Sequence, residues 1–144
     1  MSATSVSSPI YSHSPSMRIS NRSLWAGRIL SGIAVLFLVF DTVIKLVSAK
    51  AAVTGTVQLG YTADQLPILG AIEVVCLVLY LVPRTAPLGA LLWTGYLGGA
   101  VATHVRLHNP LFSHILFPIY VALLLWGGLY LRDARVRAVL SDAR

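Results

Sequence analysis

The chain has 144 residues, 56% hydrophobic and 11% charged, with a mean hydropathy of +0.77, whereas a soluble domain carries about 25% charged residues. So small a soluble domain keeps much of its chain at the surface, so this apolar excess excludes water as the sole neighbour and points to lipid. A net charge of +6 would indicate nucleic acid if the basic residues formed a stripe, but they fall in the short segments between apolar runs, where membrane topology places them.

Residues 1–22 are rich in Ser, contain Pro9, His13 and Pro15, and lack apolar periodicity, so a disordered tail is expected. Residues 24–47 form the first predicted span, apolar except for Arg28, Asp41 and Lys45. Arg18 and Arg22 before this run, with Val47, Ser48 and Ala49 after it, imitate a cleavable signal. The run is longer than the roughly 7–15 residues of a signal core and carries charges, so a retained helix is expected. A polar connection follows, with Thr54, Gly55, Thr56, Gly60 and Thr62, and its secondary structure is left open.

The second predicted span, 66–82, has Pro67 in its first turn and Pro83 after its last. The third, 88–105, follows Pro87 and places Gly95 and Gly99 four residues apart, a small-xxx-small spacing that would allow homo-oligomer contact. Asn109 and Pro110 mark a turn, and the fourth span covers 111–131, with Trp126 and Tyr130 towards its far interface. Residues 132–144 are a short basic tail, with Val136, Val139 and Leu140 at the spacing of an interfacial helix. Cys76, the only cysteine, lies in an apolar run, so an intrachain disulfide or cysteine-based zinc site is excluded and a packing role is expected.

Arg18, Arg22, Arg28, Arg84, Arg132, Arg135, Arg137 and Arg144 fall on one side of these spans, and Lys45, Lys50 and Arg106 on the other. The positive-inside rule then gives an all-α, antiparallel bundle of four transmembrane helices with both termini cytoplasmic, multi-pass in the cell (inner) membrane.

In that topology Asp41 and Glu73 each lie about 9–10 Å below the outer rim. Lys45 is one turn from Asp41 on the same face, so the three can form a charge cluster. Charges within a span are costly and mark a functional site, and a structural ion pair explains them equally well. His104, Arg106 and His108 at the outer end of the third span, and His114 at the start of the fourth, lie on the same side. The spacing of His104 and His108 suits a metal or haem only on a continuing helix, which Asn109 and Pro110 are expected to end, so no metal is predicted. Serine-nucleophile, phosphate-loop and dinucleotide motifs are absent, so no independent catalytic activity is expected.

The run Lys45-Leu46, then Gly60-Tyr61, Ile68-Leu69-Gly70-Ala71-Ile72-Glu73, Leu81-Val82-Pro83-Arg84 with Pro87-Leu88-Gly89, and Ala102-Thr103-His104-Val105-Arg106 resembles the DoxX-like family of small bacterial membrane proteins, over residues 25–131. The resemblance implies a four-helix membrane fold and a place beside membrane redox complexes, since the family is named for a subunit of a thiosulfate–quinone oxidoreductase. Lys45, Glu73, His104 and Arg106 match its motif positions. It implies an accessory or anchor subunit with a membrane redox partner protein, and a quinone as ligand by analogy alone. A small-solute or proton-linked transporter using Asp41 and Glu73, or a purely structural membrane partner, are the alternatives.

Overall fold

The computed structural model describes residues 20–142. Most of the expected N-terminal tail, with Arg18, and the terminal Arg144 lie outside them. The described residues form α1 (Asn21–Leu46), α2 (Lys50–Gln58), α3 (Leu66–Leu81), α4 (Ala86–Arg106), α5 (Phe117–Arg132) and α6 (Ala134–Asp142), without a strand. A 3-10 turn at Ala63–Gln65 leads into α3, and one wide π turn at Leu111–Ile115 leads into α5.

Prolines set the starts. Pro67, Pro87 and Pro118 each stand in the first two positions of α3, α4 and α5, where the missing N–H has no intrahelical acceptor to lose. Thr62 and Gln65 close a capping box before α3, the backbone N–H of Thr62 donating to Gln65 Oε1 at 3.0 Å. The stops of α1, α2 and α4 share one device. Ser48, Gly60 and His108 adopt positive φ of 49°, 86° and 55°. The next residue's N–H then reaches back to Ile44, Thr56 and His104 respectively, the pattern of a Schellman cap.

Three stretches are long and apolar enough to cross a membrane: Asn21–Leu46, Ala63–Leu81 and Leu111–Arg132. The α4 helix has 21 residues, but its apolar run is diluted by Gly95, Gly98, Gly99, Thr94 and Thr103. Large side chains such as Ile29, Leu36, Phe40, Ile68, Val75, Val78 and Leu123 face outwards. In water each would forgo about 1.5–3 kcal/mol of burial, a loss that an apolar medium removes.

Packing joins α1 to α3 and α5, and α4 to the same two helices. The core is Ala34, Leu38, Cys76, Leu77, Tyr80, Ala90, Trp93, Leu97, Val121, Leu125 and Leu129. Two glycines let backbones nearly touch. A Cβ on Gly27 would lie 2.8 Å from the Gly128 carbonyl oxygen, and one on Gly89 would lie 2.3 Å from the Tyr80 nitrogen. Gly95 and Gly99, by contrast, have nothing within 4 Å of a built Cβ. Helix boundaries differ from expectation by a few residues. The N-terminal portion of α1 takes in Asn21 and Arg22, and the connection left open by the sequence is largely α2.

Of the three apolar residues spaced for an interfacial face in α6, Val136 is buried while Val139 and Leu140 are exposed. The helix is held by its arginines. Arg135 Nη2 donates to the Pro83 carbonyl at 2.7 Å, and Arg137 Nη2 to the Leu131 carbonyl at 3.2 Å and to Ser23 Oγ at 3.1 Å.

Candidate functional site

A cavity of about 700 Å³ opens where α1 and α4 end and α5 begins. Its walls come from Phe37 to Lys45 of α1, Trp93 to His104 of α4 and Phe117 to Val121 of α5, and α2 lies over it with Ala52, Gly55 and Thr56. The buried residues Leu38, Trp93, Leu97 and Val121 line its deep end. Phe37 and Phe117 meet edge to face at 5.2 Å between ring centres and close the α1–α5 side.

Lys45 stands in the wall. Its ammonium donates to Asp41 Oδ2, one turn back on α1, to Glu73 Oε1 on α3, and to Tyr96 OH on α4 at 3.3 Å. An ammonium has three N–H donors, so this set satisfies it. Glu73 is fully buried behind the lysine, and its second oxygen accepts from Thr42 Oγ1 at 2.9 Å. The ion pair therefore joins α1, α3 and α4 at one level. The side chain of Asp41 keeps 29% of its exposure and lines the cavity, whereas Glu73 does not.

The opposite wall is uncharged and polar. Tyr61 and Thr103 hydroxyls lie 3.2 Å apart, and Thr103 itself donates to the Gly99 carbonyl. Asn109 Nδ2 sits 2.9 Å from His104 Nδ1. With the amide nitrogen donating, the proton of a neutral His104 resides on Nε2. The His104 and His114 rings stack edge to face at 5.6 Å, and His114 Nδ1 meets Ser113 Oγ at 2.8 Å. The Trp93 indole N–H is buried with no acceptor. Buried donors are seldom left so.

Asp41, Lys45, His104 and His114 thus line one cavity, with Glu73 directly behind. Arg106 and His108 do not line it. Arg106 Nη2 donates to the Leu59 carbonyl at 2.9 Å, placing its charge on the C-terminus of α2. His108 is exposed and serves as the left-handed residue ending α4. Among the described residues, no group of three or more His, Cys, Asp or Glu side chains is placed to hold a metal ion.

The model of the DoxX-like family matches residues 29–128. The chain belongs to the DoxX-like family. No match is found among curated proteins or among solved structures. The matched region of this DoxX-like protein contains the entire cavity wall and its ion pair. With the outward-facing apolar helices it makes the chain a membrane protein. Of Lys45, Glu73, His104 and Arg106, the first and third line the cavity, Glu73 pairs with the lysine and Arg106 bonds to the end of α2.

Thr42, Trp93 and Tyr96 were not singled out in the sequence. In a membrane helix a Tyr, Trp or Thr is too ordinary to stand out, and only the depth shared by Tyr96 and the Asp41–Lys45 turn would have drawn attention to it.

Proposed function

We propose that this DoxX-like protein is a multi-pass protein of the cell (inner) membrane that acts as an accessory or anchor subunit of a membrane redox complex, holding a quinone head group in the cavity. In this reading α1, α3, α4 and α5 cross the bilayer as two antiparallel hairpins, and α2 lies at the outer surface. At 21 residues, α4 is about 31 Å long, enough to span. Arg22, Arg28, Arg84, Arg132, Arg135 and Arg137 gather at the end opposite the cavity, where Arg135 and Arg137 bond to Pro83 and Ser23. That concentration supports a cytoplasmic assignment for that end.

The observation that carries the ligand reading is a cavity of about 700 Å³, mainly apolar, with Asp41, Lys45, Tyr96 and His104 set in its wall. Cavities of about 300–1,000 Å³ with few polar groups and mainly apolar walls suit small organic ligands. Tyr96 and His104 offer donors to a carbonyl oxygen, and Asp41 an acceptor to a hydroxyl, so both oxidation states of a quinone ring find partners. Gly95 and Gly99 border the cavity and are themselves exposed. They leave a strip of α4 without side chains, along which an apolar tail can run into lipid. The cavity lining includes none of the arginines at the opposite end, which disfavours a transporter.

The test uses the three tryptophans. With Trp25→Phe and Trp126→Phe leaving Trp93 as the sole emitter, a short-chain benzoquinone should quench its fluorescence saturably. Lys45→Met should weaken that binding about tenfold, because Asp41 and Tyr96 lose the ammonium that holds them in the cavity wall. Linear, unsaturable quenching that is identical in the Lys45→Met protein would overturn the proposal.

A further inference from the structure

At the end of the bundle away from the cavity, α1, α3 and the C-terminus of α5 enclose a second, smaller hollow of about 190 Å³. Its wall includes Arg28, Ser31, Tyr80, Leu81 and Arg132. Two guanidinium nitrogens of Arg132, Nε and Nη2, are buried without any acceptor. The guanidinium lies 5.1 Å from the centre of the Tyr80 ring, a stacking that fixes its plane. Arg28 stacks on Trp25 at 5.8 Å on the exposed side.

Beyond the Tyr80 ring, the wall offers Arg132 Nε and Nη2 no acceptor. The Tyr80 hydroxyl donates to the Leu125 carbonyl at 2.9 Å, and its 3.0 Å contact with Ser31 Oγ is then filled by the serine proton. The nearest acid in sequence, Asp133, is taken by Arg135 at 2.8 Å. Among the described residues no carboxylate pairs with Arg28 or Arg132. A buried charged donor without a partner is costly, and two on one planar fork match an oxyanion with two adjacent acceptor oxygens. The hollow is several times the roughly 30 Å³ share of a water molecule, room enough for a phosphate group. Leu81 in its wall and Val78 one turn before it are both 54% exposed, so an acyl chain can lie against α3 directly beside the hollow.

We propose that this hollow is a phosphate-binding site that takes the head group of an anionic phospholipid. The proposal rests on the membrane reading of α1, α3 and α5 and is independent of what the larger cavity holds. Basic recesses between membrane helices on the cytoplasmic side select anionic head groups in this way.

The full chain, purified in neutral detergent and examined by native mass spectrometry, should retain added phosphatidylglycerol in preference to phosphatidylcholine. Arg28→Gln and Arg132→Gln should each weaken phosphatidylglycerol binding about tenfold, the loss expected of a charge-assisted hydrogen bond. Arg84→Gln removes the same charge from the exposed loop at the same end and should bind as the unaltered protein does. Arg28 is exposed and its replacement leaves the core untouched, so it decides the matter if Arg132→Gln fails to fold. Equal lipid binding by Arg28→Gln and Arg84→Gln would overturn the site. Inorganic phosphate that competes with the lipid supports recognition through the phosphate. Phosphate retained without any lipid preference would overturn the lipid as its source.

Discussion

Lys45 uses every N–H it has on groups of the protein itself, two of them carboxylates. Removing one member of a buried ion pair leaves the other charged and unpaired, at a cost of about 3–5 kcal/mol. Lys45→Met is therefore expected to lower the unfolding midpoint in detergent sharply. Adding Glu73→Gln to it should restore much of the loss, because the stranded carboxylate disappears. If the double variant is no more stable than the single one, Glu73 is not the charge that Lys45 balances. The same pair shows what could be read in advance. Asp41, Lys45 and Glu73 stood out because a charge in an apolar run is costly, and counting residues from the rim gave their common depth. Depth says nothing of direction around the helix axis. Arg106 and His108 were expected beside His104, and they point elsewhere because α4 stops at Arg106 and the chain reverses at His108.

Glycine at two places on α4 serves opposite ends. At Gly89 the Tyr80 backbone is so close that Gly89→Ala should destabilise by about 1–3 kcal/mol through overpacking. Gly95→Ala meets nothing and should be neutral or stabilising, since Ala is the better helix former. A bulkier Gly95→Leu should fold normally yet reduce quinone quenching of Trp93. A drop in oligomer size without loss of quenching would assign this strip to self-association instead. Caps also tell elements apart. His108→Gly should raise stability by about 0.5–1 kcal/mol, measured by thermal unfolding, because a left-handed His is strained and Gly is not.

The short α6 depends on Asp133, whose side chain accepts the Arg135 N–H at 2.9 Å as a helix N-cap. Bonding to Arg135 holds that carboxyl below its ordinary value, which is about 3.9. Its contribution is then complete above that value and disappears as the pH falls through the lowered one. Amide exchange in α6 should accelerate only under such acid conditions, and Asp133→Asn should remove the dependence. The prolines made most helix ends readable in the sequence. The α2 helix was not, because nine residues with four polar side chains and one glycine have little helical tendency alone. It forms by laying Ala52 and Thr56 on its neighbours.

Both hollows depend on the course of the chain across the bilayer. In a Cys76→Ala background, Lys50→Cys and Arg84→Cys should react with a membrane-impermeant thiol reagent from opposite sides of sealed vesicles. Reaction from one side only would undo the two-hairpin topology and, with it, the assignment of the arginine-rich end to the cytoplasm. The general class, a helical membrane protein, followed from hydropathy alone, and the helix lengths followed from the apolar runs and prolines. The two cavities did not, since each is framed by side chains from at least three helices whose mutual rotation no single run of sequence encodes.

Arg106 reaches across to the last carbonyls of α2 from outside the cavity. If the cavity holds the proposed quinone, a fastening that contributes equally whether the chamber is full or vacant would govern how fast the guest is exchanged and leave its equilibrium unaltered. Arg106→Ala should accelerate arrival and departure alike by a few-fold, as expected for one surface hydrogen bond, with Kd unchanged in stopped-flow quenching. Arg106 would then act as a timer, while the cavity wall sets the affinity.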